Sequence, residues 1–271
     1  KTIKIINNLD PVDWLVVDNY ELNDTWETIL KPYTKKIMVI DDMTKRKHNC
    51  DLILDQNFYE NMKKCYDGLI PVNCKKLIGP KFALLRKDFL RIRKNLRKRD
   101  GKIKRILVSF GSSDPTNEIT KVIEAINKLD NKQIKIDLVL GIPNKTSKNI
   151  DKFFSKKLNI TCHYQSTKIA QLMEKADLSI GSGGSTTWER CCLGLPSIVS
   201  ISADNQKKLT EAVAKNGCSI NLGFVNKLSS RDYQKAITNI DSLTLIRMSQ
   251  KCIKLVDGNG IYRVVDELLS I

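Results

Sequence analysis

The sequence lacks the patterns that mark several large classes of protein. No apolar run approaches the roughly 18 residues that a membrane-spanning helix needs, and no signal-peptide pattern opens the chain. Its eight cysteines include no C-x-x-C pair. Their spacing therefore predicts neither a metal site nor a disulfide framework, and most of them lie among apolar residues. We expect a reduced, cytoplasmic protein without a bound metal.

Nucleotide fingerprints and catalytic triads are missing as well. No G-K-[ST] follows a glycine-rich turn and no full G-x-G-x-x-G occurs, which disfavours a kinase or a dehydrogenase. The chain has two histidines, and their spacing suggests no Ser/His/Asp or Cys/His constellation. His48 lies in a loop beyond a strand end and is a candidate site residue. His163 follows the strand "ITCHY" and is interpreted as structural.

Acidic residues are outnumbered, with 30 Asp and Glu against 46 Lys and Arg and a formal charge of +16. Such a charge is typical of nucleic-acid or anionic-surface binding, but surface lysines alone produce the same balance. The densest basic run, residues 86–105, contains Phe89 as its only aromatic residue. We therefore expect neither a nucleic-acid nor a membrane partner. A phosphate-bearing small substrate would gain from the same positive field.

Apolar runs alternate with helical patterns along the whole chain. Runs such as "DWLVVDNY" and "KKIMVIDD" end in Asp or Asn, which is typical of parallel strands covered on both faces. The pattern resumes at "RILVSFG", and the tail is predicted to form two helices broken at "DGNG". Hydrophobic residues make up 41% of the chain and charged residues 28%, as in a globular protein. We predict an α/β protein with a Rossmann-like domain over residues 1–98 and a second over residues 99–271.

Two junctions between a strand and a helix are rich in glycine and hydroxyl residues. In "SFGSSDPTN", Gly111 permits a tight turn, Ser112 supplies a hydroxyl and Asp114 can cap the next helix. In "GSGGSTTWERCCLGLP", Gly183 and Gly184 let backbone N–H groups approach a ligand, and a helix is predicted to begin near Thr186. Two helix N-termini that face one cleft suit a diphosphate.

A purely structural interpretation stands beside this one. Glycine-rich turns also serve packing, and Thr186-x-x-Glu189 matches a capping box in which Glu189 accepts from backbone donors. A carboxylate one turn into that helix could equally accept hydrogen bonds from ribose hydroxyls. Both alternatives remain open at this point.

The segments "VIDDMTKRKHNCDLILDQN", "KKLIGPKFALLRKDF", "LVSFGSSDPTN", "DLSIGSGGSTTWERCCLGLPSIV", "ADNQ" and "LVDGNGIYRVVDELLSI" carry a family resemblance. Together they resemble the UDP-2,4-diacetamido-2,4,6-trideoxy-β-L-altropyranose hydrolases of pseudaminic acid biosynthesis, the PseG family. The resemblance covers essentially the whole chain, and "GSGGSTTWERCCLGLPS" is its most specific element. It implies the GT-B architecture of two Rossmann-like domains, similar to the lipid II glycosyltransferase MurG. It also implies metal- and cofactor-independent hydrolysis of the anomeric C–O bond with inversion.

The resemblance further implies roles for individual residues. The glycine loop with Ser185 and Thr186 would meet the diphosphate, as would Gly111 and Ser112 at the other turn. Glu189 would hold the ribose. Asn205, beside Gln206 in "ADNQ", and Tyr20 in "VVDNY" would lie near the sugar and the attacking water. Relatives can carry histidine at the position of Asn19.

The catalytic base in that family is a histidine in a G-x-G-H segment near the N-terminus, and this sequence contains no such segment. We therefore expect an incomplete N-terminal domain of marginal stability, a second domain that folds well and recognises UDP, and poor hydrolysis by the chain as given. Alternatives are a UDP-binding module without turnover and a GT-B glycosyltransferase that uses an acceptor. A monomer is expected in each case.

Overall fold

The computed structural model describes residues 1–9, 12–59, 61–62, 64–111, 114, 116–129, 131, 133–141 and 159–270. The chain divides into two compact units. The first unit comprises Lys1–Leu84 together with Asn259–Ile271, and the second comprises Leu85–Gly258. The pattern "NKTSKNIDKFFSKK" predicts a helix over residues 144–157. This segment and the predicted site residue Ser112 lie outside the described residues.

The described elements follow the expected alternation. The strands are β1 (Trp14–Val17), β2 (Lys36–Ile40), β3 (Leu52–Asp55), β4 (Lys75–Ile78), β5 (Arg105–Ser109), β6 (Lys135–Leu140), β7 (Asn159–Tyr164), β8 (Leu178–Ser182), β9 (Ser197–Ile201) and β10 (Ile220–Phe224). The helices are α1 (Thr2–Ile6), α2 (Asp24–Leu30), α3 (Lys87–Arg93), α4 (Glu118–Asn127), α5 (Ile169–Lys175), α6 (Thr186–Cys192), α7 (Gln206–Lys215), α8 (Ser230–Asn239), α9 (Ser242–Leu255) and α10 (Gly260–Ser270). Short 3-10 turns occupy Lys31–Tyr33, Pro80–Phe82 and Val225–Lys227.

The first unit is built on a parallel sheet in the order β1-β2-β3-β4. Side chains of a strand alternate between the two faces of a sheet. Ile37 and Val39 accordingly join one buried apolar cluster, while Met38 and Leu52 join another. Because both faces of this sheet are buried, its strands have continuous apolar sequences rather than alternating apolar and polar residues.

Helix α10 belongs to the first unit, which differs from the predicted domain of residues 99–271. Its Val264 is buried in the same cluster as Met38 and Leu52. The indole Nε1 of Trp14 also donates to the carbonyl oxygen of Leu268 at 3.0 Å. The amphipathic helix thus covers one face of the sheet formed by the start of the chain. Periodicity identifies such a helix but not the sheet against which it packs.

The second unit contains a six-stranded parallel sheet in the order β10-β9-β8-β5-β6-β7. Chain order therefore reverses between β5 and β8, as in a dinucleotide-binding Rossmann sheet. The buried faces of α4 and α8 pack with Ile106, Val108 and Ile180 into one large core. The expected α/β class with two parallel Rossmann-like sheets is confirmed. Within the described part of the chain, no helix combines the length and the apolarity needed to cross a bilayer.

Candidate functional site

The point where strand order reverses brings the two glycine-rich turns together. Strands β5 and β8 are neighbours, with Ser109 paired to Gly181 at their carboxyl ends. Gly111 follows β5 with a φ of +86°, which favours glycine. Open sheets of this kind bind ligands in the crevice outside the carboxyl ends of the strands at the reversal. Both predicted turns therefore lie where this fold carries its ligand sites.

Packing accounts for two of the three glycines at the end of β8 and in the loop that follows it. A Cβ on Gly181 would lie 2.0 Å from the carbonyl oxygen of Ser109, and one on Gly183 would lie 2.1 Å from Oγ1 of Thr210. A Cβ on Gly184 would meet only Nε2 of Gln206, at a van der Waals distance of 3.8 Å, but the residue has a φ of +137°. The packing interpretation thus holds for Gly181 and Gly183. The absence of side chains at these glycines also leaves the backbone at this edge accessible to a ligand.

The segment "ADNQ" joins the same edge from β9. The amide N–H of Gly183 donates to the carbonyl oxygen of Ser200 at 3.0 Å, so the β8 loop lies beside the end of β9. Asn205 is the exposed N-cap residue of α7, and its side chain makes no capping hydrogen bond. Oε1 of Gln206 accepts from the amide of Ser202 at 3.0 Å. The structure therefore places Asn205 and Gln206 next to the glycine loop.

The capping box expected at the start of α6 is not formed. The N-cap residue is Ser185, which makes no side-chain capping bond, and Thr186 is the first helical residue. Oγ1 of Thr186 instead lies 3.5 Å from Nη1 of Arg190. Because the loop enters the helix one residue earlier than a cap at Thr186 requires, Glu189 is free of a capping role.

Glu189 is a half-buried carboxylate that makes no hydrogen bond to any described residue. Burial raises the pKa of Glu189, and the charges of Arg86 and Arg190 act in the opposite direction. Arg190 is buried and donates to the carbonyl oxygen of Ser182 at 3.2 Å and to Oγ1 of Thr187 at 3.0 Å. It thereby ties α6 to the end of β8. Arg86 and Arg190 were not predicted as site residues, although they lie in "KKLIGPKFALLRKDF" and "GSGGSTTWERCCLGLP".

Asp114 caps the helix after β5, as predicted. Its two carboxylate oxygens accept from the amides of Glu118 and Ile119, at 2.9 Å each. These are the first residues of α4. Because this carboxylate is committed to the backbone, it anchors the turn rather than reacting.

The first unit also carries polar side chains at the carboxyl edge of its sheet. Tyr20 is 58% exposed, and its hydroxyl donates to Oδ1 of Asp42 at 2.8 Å. Burial of part of the ring, the hydrogen bond to Asp42 and nearby acidic charges raise the pKa of Tyr20. The phenol is therefore a hydrogen-bond donor at neutral pH and not a base.

His48 belongs to a buried ionic cluster in that unit. Its Nδ1 lies 2.8 Å from Oε1 of Glu27, and its Nε2 lies 3.9 Å from Oδ2 of Asp41. Asp41 also accepts from Nη1 of Arg46 at 3.0 Å. Burial disfavours the charged imidazole, but Asp41 and Glu27 outweigh it and raise the pKa of His48 to about 9. A buried, charged histidine holds structure together and is a poor general base.

His163 is structural, as interpreted from the sequence. Its Nε2 lies 2.9 Å from Oδ1 of Asp137, whose other oxygen accepts from Nη1 of Arg105 at 2.6 Å. These three residues occupy the adjacent strands β5, β6 and β7. These contacts link the three strands, which is consistent with a structural role for His163.

Comparison with known proteins identifies relatives over most of the chain. It is 27% identical over 214 residues to an uncharacterized protein of Methanocaldococcus jannaschii, covering 76% of this chain and 43% of that protein. It is 29% identical to the spore coat polysaccharide biosynthesis protein SpsG of Bacillus subtilis, covering 69% and 54%. It is 28% identical to the UDP-2,4-diacetamido-2,4,6-trideoxy-beta-L-altropyranose hydrolase of Campylobacter jejuni, covering 75% and 71%. The chain thus spans about half the length of the first two relatives.

Solved structures share the fold at low sequence identity. MurG of Acinetobacter baumannii superposes with a TM-score of 0.70 at 13% identity, over 99% of this chain and 77% of MurG. The S. aureus MnaA–UDP co-structure gives 0.66 at 11% identity, over 97% and 76%. The expected GT-B-like α/β fold is confirmed. Residues 105–253, more than half of the chain, match the glycosyltransferase family 28 C-terminal domain, and the chain belongs to that family.

Proposed function

We propose that this protein binds a UDP-sugar through its second unit and hydrolyses a UDP-linked 2,4-diacetamido-2,4,6-trideoxy sugar to UDP and the free sugar, with inversion at the anomeric carbon. One observation carries the nucleotide half of the proposal. The turns after β5, β8 and β9 meet at one sheet edge, beside Glu189, whose carboxylate has no hydrogen-bond partner among the described residues. The 28% identity to the Campylobacter hydrolase supports the reaction.

The diphosphate would lie against the loop that contains Gly183 and Gly184. Backbone amides there, the hydroxyls of Ser185 and Thr186, and the N-terminus of the ten-residue helix α7 supply donors and positive potential. Gly111 would approach from the neighbouring turn. Donors that meet the departing UDP lower the barrier, because negative charge accumulates on the leaving oxygen.

Glu189 would accept hydrogen bonds from the ribose hydroxyls. A half-buried carboxylate without a partner loses hydration on burial and is stabilised when hydroxyl donors reach it. Its raised pKa is consistent with a site that a ligand completes. Arg86, an exposed residue whose charge reaches Glu189, adds a cation on the nucleotide side.

The sugar and the attacking water would involve Asn205 and Tyr20. Asn205 offers an exposed amide beside the glycine loop, and Tyr20 offers a hydroxyl that Asp42 orients. Hydrolysis also needs a base that deprotonates the water. His48 does not fit that role because its imidazole is charged and ion-paired at neutral pH.

Glycosyl transfer is the second candidate function. The match to the glycosyltransferase family 28 C-terminal domain favours a sugar donor site that serves an acceptor other than water. Both reactions use the same UDP contacts and differ in the nucleophile. Product analysis with the UDP-sugar, in the presence and absence of candidate acceptors, separates free sugar from a glycosylated acceptor. The same assay reveals a third outcome, UDP binding without turnover.

The first experiment is calorimetric titration of UDP into the wild-type chain and the Glu189→Gln variant. Loss of the charged acceptor for ribose is expected to weaken UDP binding by roughly 10- to 100-fold, the equivalent of about 1.4 to 3 kcal/mol. Glu211→Gln is the matched control, since Glu211 is an exposed residue of α7 and should leave the affinity unchanged. A folded wild-type protein that does not bind UDP would contradict the proposal.

A further inference from the structure

Three buried cysteines of the second unit meet at one point. Cys191 lies on α6, Cys218 precedes β10, and Cys252 lies on α9; each is at most 2% exposed. Their sulfur atoms all lie within 4.8 Å of one another. No disulfide joins them, since each is a free cysteine. Spacing could not reveal this group, because Cys218 and Cys252 alone are 34 residues apart.

The separations suit a tetrahedral metal ion. With Zn–S bonds of about 2.3 Å, a tetrahedral zinc ion holds its sulfur ligands about 3.8 Å apart. The three sulfurs, at no more than 4.8 Å, need to move by less than about 1 Å to reach that spacing. Two of the thiols are already oriented by contacts. Cys252 Sγ lies 3.2 Å from the carbonyl oxygen of Cys218, and Cys218 Sγ lies 3.3 Å from Oδ1 of Asn216.

The charge around the group favours a divalent ion. Arg190 precedes Cys191 and is 2% exposed, and no carboxylate of the described residues lies within 4.0 Å of its guanidinium. Nε of Arg190 also has no hydrogen-bond partner among the described residues. Three thiolates around Zn²⁺ carry one net negative charge, which the guanidinium neutralises. A buried cluster is least costly when its net charge is zero.

Asn216 is a candidate for the fourth ligand position. A tetrahedral ion with three sulfur ligands has one remaining position, and a Zn–O bond of about 2.1 Å would place the oxygen about 3.6 Å from each sulfur. Oδ1 of Asn216, at 3.3 Å from Cys218 Sγ, is close to that distance. Because Asn216 is exposed, this position also connects the buried sulfurs to the surface.

We propose that Cys191, Cys218 and Cys252 form a three-thiolate zinc site, with the amide oxygen of Asn216 or a water in the fourth position. On binding, each sulfur lone pair forms a bond to Zn²⁺ and the three thiol protons pass to solvent. No electrons are transferred, so no oxidant or reductant is needed. The ion would cross-link α6, the segment before β10, and α9, and so would stabilise the helix that follows the glycine loop. The site is independent of the proposed UDP contacts.

The test uses the full chain, reduced, stripped with a chelator and titrated anaerobically with Co²⁺ as a spectroscopic substitute for Zn²⁺. We expect thiolate-to-cobalt charge-transfer absorption that saturates at one equivalent and disappears on addition of Zn²⁺. Cys218→Ser and Cys252→Ser should each weaken Zn²⁺ binding by at least about 100-fold. Zn²⁺ should raise the unfolding temperature of the wild-type protein but not that of these variants.

The controls come from cysteines outside the group. Cys162→Ser changes a thiol on β7 of the same unit. The double variant Cys50→Ala with Cys74→Ala removes a second buried thiol pair, in the first unit, with sulfurs 3.5 Å apart. Both controls should bind Zn²⁺ like the wild-type protein. Binding that survives in the Cys218 and Cys252 variants, or that disappears in the Cys50 and Cys74 variant, would overturn the assignment.

A measurement on the wild-type protein covers the case in which a serine variant fails to fold. X-ray absorption at the zinc edge should show three sulfur ligands and one lighter atom. Fewer than three sulfurs would refute the site. So would a reduced, folded wild-type chain that binds no Co²⁺ or Zn²⁺ at micromolar concentrations.

Discussion

Replacing His48 by an uncharged residue should abolish most of the pH dependence that the unfolding free energy of the first unit shows above pH 7. The imidazole is 4% exposed and lies between Glu27 and Asp41, which are themselves buried. Its folded-state pKa of about 9 exceeds the unfolded value of about 6.5. The proton therefore binds more tightly to the folded protein than to the unfolded chain.

The sign and size of the effect follow from this difference. The contribution of His48 is complete below pH about 6.5 and is lost as the pH rises through about 9. A difference of about 2.5 pKa units corresponds to roughly 3 kcal/mol of unfolding free energy. His48→Gln should thus be less stable than the wild-type protein by about that amount at pH 6, and the two should converge above pH 9. Burial raises the pKa of Asp55 to about 6. Asp55 therefore changes the free energy of unfolding at lower pH, and it does so equally in the wild-type protein and in His48→Gln.

Two measurements check the reasoning. Because the chain has two histidines, imidazole ¹⁵N chemical shifts give two titration curves, and a His163→Gln variant assigns them. Hydrogen exchange of peptides from β2 and β3, between pH 6.5 and 9, reports the stability of the first unit after correction for the intrinsic exchange rate. His163→Gln is also the matched control, since His163 lies in the second unit and should leave this dependence unchanged.

Either of two results would refute this account. A His48 titration at or below pH 6.5 would mean that burial outweighs the two carboxylates. Equal pH dependence of the wild-type protein and His48→Gln would mean that the ion pairs contribute nothing to stability.

Further changes test the packing of each unit. Gly181→Ala should destabilise the second unit by about 1 to 3 kcal/mol, measured by urea unfolding, because the new methyl group meets the Ser109 carbonyl. Unchanged stability would show that β5 and β8 can separate without cost. Val264→Ala should cost about 1 to 3 kcal/mol and reduce exchange protection in the strands of the first unit. Loss confined to the second unit would contradict the placement of α10. Arg99→Met should destabilise the second unit by roughly 2 to 4 kcal/mol in the same urea experiment, because it leaves several buried carbonyl oxygens without their donor. A neutral effect would show that water replaces the guanidinium.

Much of the fold could be predicted because its signals are local. Continuous apolar runs such as Leu52–Asp55 indicated buried parallel strands. The segment "NDTWETILKPY" offers Asn23 or Asp24 as the N-cap of a helix, and Asn23 caps α2 by accepting from the amide of Trp26. The break at "DGNG" correctly separates α9 from α10. Asp114 caps α4 because a carboxylate before a helix satisfies its first amides wherever the helix packs.

The candidate site was only partly predictable. Glycine turns at strand ends predicted a site at the edge of the sheet where β5 and β8 end, because parallel strands bring their carboxyl ends together. The sequence could not distinguish whether Glu189 caps its own helix or stays available to a ligand, since one residue in the position of the N-cap decides this. Nor did it indicate that His48 is charged, since its partner Glu27 lies 21 residues away.

The sequence by itself determined the periodicity of the elements and the glycine-rich turns near residues 111 and 181–185, and hence the α/β class. Each of these depends on interactions within a few residues. Only the tertiary structure decided which sheet α10 covers, that Arg190 lies buried without a carboxylate partner among the described residues, and that Cys191, Cys218 and Cys252 meet. Those outcomes depend on how distant segments pack, and the energies that select them arise only when the segments come together.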